Sequence, residues 1–171
     1  MNAAVRVAEP GEVRALVPGL AEVLADCVAG GASVSFMAPF GEAEARAFWS
    51  GIAEAAERGA ASVVVAETDG RIAGTVIVAY DMPPNQPHRA DIRKLLVHRR
   101  ARRRGLGAAL MAAAEDAARS NGRTLLCLDT ASATAEGIYA RLGWTRVGVI
   151  PDYALLPEGG FCDTTIFYKR I

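Results

Sequence analysis

The chain has 171 residues, with 19 basic and 19 acidic side chains and a formal net charge of zero. Such a length supports one hydrophobic core, so we expect a single domain over residues 1–171. A net charge of zero argues against a strong attraction to DNA or to anionic membranes. Residues 1–10 lack the apolar core of a secretory signal, and no apolar run is long enough to span a bilayer. We therefore expect a cytoplasmic protein without a membrane or nucleic-acid partner.

Neither the cysteines nor the histidines indicate a metal site. Cys27, Cys127 and Cys162 are an odd number without metal-ligand spacing, and we expect them to be reduced and mostly buried. His88 lies in a proline-rich segment and His98 heads an arginine-rich loop, so neither position favours a catalytic histidine. We expect no bound metal.

The N-terminal part of the chain predicts one strand and two helices. Residues 5–8 can form a strand, and residues 12–29 have apolar side chains at a helical period, although Pro18 should break or kink that helix. A second amphipathic helix is predicted over residues 41–58. Between the helices, residues 30–37 (GGASVSFM) are either a plain connector or a wall of a substrate pocket. On the second interpretation, the substrate-contacting candidates are Gly31, Ser33 and Phe36.

The remaining residues predict a sheet with two more helices. The apolar runs 61–67 and 71–80 flank the turn signal Asp69-Gly70 and predict a hairpin. The proline-rich loop 81–88 cannot be a central strand. Further strands are predicted over 92–97, 124–129, 144–149 and 161–169, with helices after Gly107 and over 132–142. The order β-αα-β-β-β-α-β-α-β-β describes an α/β fold with a mixed sheet and helices on both faces.

The strand over residues 92–97 does not keep strict alternation. Its apolar residues Ile92, Leu95 and Val97 are spaced by three and then by two, so the two-residue period slips once. A β-bulge explains such a slip, because it adds one residue to one strand of a pair. A bulge here would re-aim backbone groups toward an extended ligand along the strand edge.

The loop after this strand has the composition of an anion site. Residues 98–104 contain five arginines among seven residues, and the loop ends in Gly105-Leu106-Gly107 at a helix start. Glycines let backbone amides approach a ligand, the helix N-terminus adds positive charge, and arginines donate to phosphate oxygens. The dinucleotide fingerprint is excluded because Leu110 replaces its third glycine, and no Gly-Lys-Ser/Thr sequence of a nucleotide-hydrolase loop follows. We expect a ligand with a pyrophosphate.

The order of bulged strand, R-x-x-G-x-G (Arg102, Gly105, Gly107) and amphipathic helix resembles the acetyl-CoA-binding motif of the GNAT superfamily of N-acetyltransferases. The predicted element order also matches the GNAT acyl-CoA N-acyltransferase fold. The resemblance implies acetyl-CoA as co-substrate, with its pyrophosphate on the amides from about Arg103 to Ala108 and its pantetheine arm along Leu95 to Val97. The implied coenzyme-binding residues are Leu95, Leu96, Val97, Arg102, Arg103, Arg104, Gly105, Leu106, Gly107, Ala108 and Ser132.

Tyr139 lies in an A-x-x-x-Y-x-x-x-G-aromatic segment, residues 135–144, that resembles the second signature of the superfamily. The resemblance implies that this tyrosine points at the coenzyme sulfur and protonates the departing thiolate. The alternative is a helix tyrosine that packs with Ile138 and Leu142. The asparagine that the family often has seven residues earlier is Ser132 here, and its hydroxyl can still bond the pantetheine arm with fewer donors.

Two aspartates stand in strands, where aspartate is depleted. Asp91 begins the predicted bulged strand and Asp129 ends the next one. Together they can act as a base, or hold a water that acts as one, when an amine attacks the acetyl group. The alternatives are that Asp129 caps the following helix or turn and that Asp91 forms an ion pair with Arg89 or Arg93.

Five longer segments resemble GNAT enzymes that acetylate a β-lactam-containing amino-acid toxin. The segments are 30–37, 84–97, 104–107, 128–130 and 145–153. This resemblance implies a small amino-acid-like or antibiotic amine as acceptor, with direct acetyl transfer in a ternary complex because no nucleophile stands out. Two alternatives are a coenzyme A-binding sensor without turnover and a nucleic-acid binder that uses Arg99 to Arg104. The sequence leaves a homodimer open.

Overall fold

The structure is a computed structural model that describes residues 3–171. Its strands are β1 (Ala4–Val7), β2 (Ala61–Thr68), β3 (Arg71–Ala79), β4 (Arg89–Val97), β5 (Leu125–Thr130), β6 (Thr145–Leu155) and β7 (Phe161–Arg170). Its helices are α1 (Val13–Ala29), α2 (Glu42–Glu57), α3 (Leu106–Ser120) and α4 (Ala133–Arg141), and Arg99–Ala101 forms a 3-10 turn. The predicted element order is confirmed. The predicted break of the first helix is wrong, because α1 continues through Pro18.

The seven strands form one mixed sheet in the order β1-β2-β3-β4-β5-β7-β6. Neighbouring strands are antiparallel except β4 and β5, which are parallel. The predicted hairpin is β2–β3, and its turn residues Asp69 and Gly70 both have positive φ, 52° and 73°. Such a turn matches the right-handed twist of the two strands.

Side-chain alternation in the central strands builds one apolar cluster on each face of the sheet. Val63 and Val65 of β2 pack with α1 and α2, in a cluster that contains the fully buried Trp49. Val64 lies on the other face, in the cluster with Leu110 of α3. A strand that is buried on both faces must be apolar throughout, which is why β2 reads as a continuous apolar run.

The predicted bulge is confirmed in β4. Ile77 of β3 pairs with Arg93 and Thr75 pairs with Leu96, so the single residue Val76 faces two residues of β4, one of which is Lys94. Lys94 has φ 54°, in the left-handed region that residues with a Cβ rarely adopt. A bulge of this kind bends its strand and increases the local twist.

Beyond the bulge, the two parallel strands separate. The last pair between β4 and β5 is Asp91 with Cys127, whereas β5 continues to Thr130 in contact with β7. The polar backbone of β4 after Asp91 therefore has no strand partner on its β5 side. The gap between the two strands, which we call the central cleft, is bounded by Arg93–Val97 and by Asp129–Thr130.

The far edge of the sheet is β6, which pairs only with β7. Its outer face exposes apolar side chains such as Val147 and Tyr153. The homodimer that the sequence leaves open stays a prediction for this edge. Within residues 3–171, no helix has the length and apolar character needed to cross a bilayer.

Candidate active site

The loop before α3 presents a row of unpaired backbone amides. Arg103 and Gly105 have φ of 64° and 76°, and these two left-handed residues turn the chain sharply into α3. The first helical hydrogen bond at this end is from the amide of Ala109 to the carbonyl of Gly105. The amides of residues 103–108 donate to no acceptor within residues 3–171. Six consecutive donors at a helix N-terminus are suited to an anion with several oxygen atoms.

The five loop arginines fall into two groups. Arg99 binds the carboxylate of Asp26 through both its backbone amide and its Nε, each at 2.8 Å. Arg100 donates to Glu22 and to the carbonyl of Ile72, each at 2.7 Å. These two arginines anchor the loop to α1 and β3. Residues 102–104 are exposed arginines that form no ion pair within residues 3–171.

The edge of β4 after the bulge offers backbone groups to the central cleft. The amide of His98 donates to the carbonyl of Ala73 in β3. Since consecutive residues of a strand direct their backbone groups to opposite edges, the backbone of Val97 faces away from β3 and toward the cleft. The carbonyl of Val97 accepts there from Arg102 Nε at 3.1 Å and from Cys27 Sγ at 3.7 Å.

Gly107 of α3 lies against Ile138 of α4. A Cβ on Gly107 would stand 2.9 Å from Cδ1 of Ile138. The buried glycine therefore lets the two helices approach, in addition to keeping the start of α3 open to a ligand. A larger residue at position 107 would have to displace the end of the flexible Ile138 side chain.

Tyr139 has a buried ring and an accessible oxygen. Its ring lies 5.4 Å from that of Phe167 and 5.9 Å from that of Trp144, and the residue is 4% exposed. Its hydroxyl oxygen has no hydrogen-bond partner within residues 3–171. The buried side-chain polar atoms without a partner in this part of the chain are Trp49 Nε1 and Arg123 Nε, and the Tyr139 oxygen is not among them. The oxygen therefore reaches a solvent-accessible surface. Burial, with a smaller contribution from the negative charge of Asp129, raises the pKa of Tyr139 above its ordinary value near 10.

A buried polar network holds the C-terminal end of α4. The indole Nε1 of Trp144 donates to Glu115 at 3.0 Å, and Lys169 Nζ donates to both oxygens of Glu115 at 2.9 and 2.7 Å. Lys169 also donates to the carbonyl of Leu142 at 2.7 Å, immediately after α4. Because Trp144 contacts the ring of Tyr139, this network helps to fix the position of Tyr139.

The structure separates the two interpretations of Asp129. The N-cap of α4 is Ser132, whose Oγ accepts from the amide of Ala135 at 3.2 Å. Asp129 instead accepts from Thr164 Oγ1 at 2.7 Å, and its side chain is exposed at the central cleft. The capping alternative for Asp129 is therefore wrong. Ser132 uses its oxygen as the cap and keeps its hydroxyl proton for another partner.

Asp91 forms the ion pairs that were its alternative interpretation. One of its oxygens accepts from Arg89 and the other accepts from Arg93 at 3.0 Å. Leu126 and Leu128 pack toward α3, so Asp129, like Asp91, lies on the sheet face that carries α1 and α2. The two aspartates share a face, but only Asp129 has an oxygen without a side-chain partner in residues 3–171.

The segment between α1 and α2 is more than a connector, because it crosses to β6 and β7. Ser33 Oγ donates to the carbonyl of Leu155 at 3.1 Å, and the amide of Ala38 donates to the carbonyl of Pro157 at 2.9 Å. Phe36 packs on Phe40, with ring centroids 4.5 Å apart. Gly31, with φ 88°, ends α1 and makes none of these crossing contacts.

Sequence reasoning missed Lys94. Its side chain leaves the bulge toward the segment between α1 and α2, where Nζ donates to Ser35 Oγ at 3.0 Å. Nζ also lies over the rings of Phe36 and Phe48, 5.6 and 5.7 Å from their centroids. Burial, and then the positive charge of Arg93, lower the pKa of Lys94 from its ordinary value. The signal available in the sequence was a charged residue inside the strand whose period slips.

A further cleft of about 450 Å³ lies where β5 ends, between the start of α4 and β7. Thr130 and Glu136 form one side of it, and Phe161 and Cys162 form the other. Cys162 Sγ donates to Ser33 Oγ at 3.4 Å, so this cleft adjoins the segment between α1 and α2. Within the described part of the chain, no three His, Cys, Asp or Glu side chains are grouped in a way that could hold a metal ion.

The separated central strands and the row of amides at α3 are suited to binding an extended, anionic coenzyme, as in coenzyme-dependent transferases. The family model described as the acetyltransferase (GNAT) family matches residues 29–144. The chain therefore belongs to the GNAT family and is an N-acetyltransferase that uses acetyl-CoA as its co-substrate.

Three solved structures with the same fold come from Salmonella typhimurium, Sinorhizobium meliloti and Brucella melitensis. yncA from Salmonella typhimurium, with its cofactor acetyl-CoA, is 19% identical with a TM-score of 0.80, over 99% of this chain and 94% of that one. A phosphinothricin acetyltransferase from Sinorhizobium meliloti in complex with acetyl-CoA is 18% identical with a TM-score of 0.78, over 100% and 89%. A ribosomal-protein-alanine N-acetyltransferase from Brucella melitensis is 22% identical with a TM-score of 0.75, over 98% and 99%. At these identities the likeness establishes the fold alone.

Proposed function

We propose that the protein transfers the acetyl group of acetyl-CoA directly to the amine of a small, amino-acid-like acceptor in a ternary complex. The observation that carries this proposal is the central cleft, which opens after the last β4–β5 pair at Asp91 and Cys127. The accessible oxygen of Tyr139 lies close enough to the exposed carboxylate of Asp129 for that negative charge to raise the pKa of Tyr139. In this proposal a thioester between them would meet a hydrogen-bond donor on one side and a base on the other.

In this proposal the pyrophosphate of the coenzyme lies on the six unpaired amides of residues 103–108. Arg102, Arg103 and Arg104 add their guanidinium groups from the solvent side, whereas Arg99 and Arg100 only anchor the loop. The pantetheine arm follows the cleft edge of Leu95, Leu96 and Val97, and the carbonyl of Val97 can exchange its bond with Arg102 for an amide of the coenzyme. The remaining hydroxyl proton of Ser132 is a further donor to the arm.

The transfer itself needs a base for the amine and a hydrogen-bond donor for the leaving sulfur. The ammonium group of the acceptor first loses one proton to solvent. The neutral nitrogen then attacks the thioester carbon, forms the C–N bond and loses a second proton, while the C–S bond breaks and coenzyme A leaves as a thiolate. Asp129 takes the amine proton, directly or through a water, because its second oxygen has no side-chain partner in the described chain. Asp91 was a candidate for the same work, but both of its oxygens already accept from arginines, so we give it a structural part in this proposal.

Tyr139 serves the leaving thiolate as a donor. Its raised pKa keeps the phenol protonated at physiological pH, so a donor is always present. The same raised pKa makes full proton transfer to a thiolate unfavourable, because a thiol has a pKa of about 8.5. Tyr139 therefore acts mainly through a hydrogen bond to the developing charge on sulfur, and the thiolate takes its proton from solvent after release.

For the acceptor, the five segments noted above resemble the tabtoxin resistance protein, a GNAT enzyme that acetylates a β-lactam amino-acid toxin. The Sinorhizobium meliloti phosphinothricin acetyltransferase has the same fold. Both favour a small amino-acid-like toxin or antibiotic as acceptor, and hence a part in resistance. The Brucella melitensis ribosomal-protein-alanine enzyme shows that the fold also accommodates a protein acceptor, so the acceptor must be tested.

The first experiment is a calorimetric titration with acetyl-CoA, followed by a thiol-release screen. The screen contains the common L-amino acids, phosphinothricin, β-lactam amino acids, polyamines, aminoglycosides and a peptide with N-terminal alanine. Binding of acetyl-CoA and turnover on a small amino acid support the proposal. Turnover on the peptide alone would contradict the acceptor class, and binding without turnover on any amine would indicate a coenzyme-binding sensor.

A second experiment tests direct transfer. Cys127 lies two residues before Asp129 on the same side of β5, so it is the nucleophile that a covalent route would use. We expect Cys127→Ser to keep its activity. The wild-type protein incubated with acetyl-CoA alone should not gain the mass of about one acetyl group, 42 Da, per chain. Double-reciprocal plots of the initial velocity at several concentrations of the second substrate should give intersecting lines. Parallel lines together with an acetylated Cys127 would refute the ternary complex.

A further inference from the structure

Lys94 is a cation without a counter-charge at the edge of the central cleft. The chain has two lysines, and the other, Lys169, binds both oxygens of Glu115. Within residues 3–171, no carboxylate forms an ion pair with Lys94, whose one hydrogen-bond partner is the neutral hydroxyl of Ser35. A half-buried ammonium with a single neutral partner keeps two of its three N–H donors for another group.

The two residues of this contact both have strained backbones. Lys94 has φ 54° and Ser35 has φ 81°, although neither is a glycine. Residues in the left-handed region cost free energy and persist only where the surroundings hold them, and they cluster at ligand-binding sites. Here the strain directs the Lys94 side chain across to the segment between α1 and α2. The rings of Phe36 and Phe48 flank its ammonium group and exclude part of the water.

The central cleft therefore has two poles of opposite charge. Lys94 stands on the β4 side, and the exposed carboxylate of Asp129 stands on the β5 side. The groups are close enough for the charge of Asp129 to act on the ammonium of Lys94, although they form no ion pair. Arg93, the neighbouring cation, already binds Asp91 at 3.0 Å. A ligand that carries both charges, one on each end of a small head group, complements this arrangement.

We infer that Lys94 binds the carboxylate of the acceptor while its amine faces Asp129, so that the acceptor is a free zwitterionic amino acid. This inference rests on the proposed acetyl transfer and narrows its substrate class. The inference excludes a protein N-terminus as acceptor, because its α-amine has an amide where a free amino acid has the carboxylate. It also excludes polyamines, because their second charge is positive and Lys94 would repel it.

The test compares each amino acid of the screen with its carboxamide, which keeps the side chain and the α-amine but has no negative charge. For the wild-type protein we expect kcat/KM to be roughly 10- to 100-fold higher for the amino acid, as for one charge-assisted hydrogen bond. Lys94→Met keeps the length of the side chain without its charge, and we expect it to erase this preference by raising KM for the amino acid. Lys94→Arg keeps the charge and should retain the preference. The KM for acetyl-CoA should be unchanged in both variants.

A measurement that does not depend on turnover uses the small number of lysines. An amine-selective reagent labels Lys94, and peptide mapping with mass spectrometry follows its rate in the presence of coenzyme A and each amino acid of the screen. An amino acid that binds through its carboxylate should slow labelling of Lys94, and its carboxamide should not. Lys169, bound to Glu115, serves as the internal control, and the ratio of the two labelling rates corrects for the reagent that the amines of the ligands consume.

The outcomes separate the two proposals. Turnover of amino acids and carboxamides with equal kcat/KM, or an unchanged preference in Lys94→Met, overturns the role of Lys94 while acetyl transfer stands. Protection of Lys94 by an amino acid without any turnover supports the carboxylate site while the proposed transfer fails. No protection by any amino acid, together with no turnover, overturns both.

Discussion

A pair of tyrosine variants tests the catalytic part of the site most directly. Tyr139→Phe removes one hydroxyl that has no partner within residues 3–171 and keeps the ring contacts with Trp144 and Phe167. Its free energy of unfolding should change by less than about 1 kcal/mol, because no protein hydrogen bond is lost. If the hydroxyl stabilises the leaving thiolate through a hydrogen bond, kcat should fall by about 10²- to 10³-fold. That fall corresponds to about 2.7–4 kcal/mol of transition-state stabilisation.

Tyr80→Phe is the matched control, because its hydroxyl is engaged far from the cleft. Tyr80 donates to Ser62 Oγ at 3.0 Å and accepts from Asn121 Nδ2 at 3.2 Å. Loss of the Tyr80 hydroxyl should lower the free energy of unfolding by about 1–3 kcal/mol and leave kcat unchanged. Urea unfolding followed by tryptophan fluorescence measures stability, and thiol release at saturating acetyl-CoA measures kcat. A Tyr139→Phe protein with wild-type kcat, or one as destabilised as Tyr80→Phe, would refute the reasoning.

The other predictions concern the coenzyme loop, the buried network and pH. Gly107→Asp should abolish calorimetric binding of acetyl-CoA, whereas Gly107→Ala, which only displaces the end of Ile138, should weaken it far less; equal losses would show that bulk and not charge matters. Glu115→Ala leaves Lys169 without its counter-charge and should lower the urea-unfolding free energy by about 3–5 kcal/mol, and a loss under about 1 kcal/mol would contradict this. Because the pKa of Tyr139 is raised, its contribution to stability is present below pH 10 and is lost as pH rises above 10, so Tyr139→Phe should lose less stability than wild type in that range. Identical slopes of the unfolding free energy against pH above 10 would refute that assignment.

The parts of the fold that the sequence predicts well depend on local signals. The turn at Asp69-Gly70 needs two residues that tolerate positive φ, and the bulge shows as a slip in the spacing of Ile92 and Leu95. Both features are set by backbone sterics within a few residues. The same holds for the start of α3, because glycine at position 105 permits the left-handed turn that ends the loop.

The parts that the sequence could not predict depend on partners that are distant in the chain. The arginine loop looks like one cationic patch until Arg99 is seen bound to Asp26, 73 residues earlier. Lys94 looks like a solvated charge until its contact with Ser35, 59 residues away, places it against the segment between α1 and α2. Similarly, Asp129 was a reasonable cap for α4 until Thr164 proved to be its partner. Only the packed chain decides which of several suitable partners each charge meets.

One extra residue in β4 accounts for most of the layout of the site. The bulge re-aims the strand, so the backbone of Val97 faces the cleft and not a strand partner. It also coincides with the divergence of β4 from β5 after Asp91, which opens the space that an acetyl group requires. Finally, the left-handed φ of Lys94 turns a side chain of β4 toward the segment between α1 and α2. A β4 without the bulge would continue its pairing, and both the proposed coenzyme edge and the cation at the proposed acceptor side would be lost together.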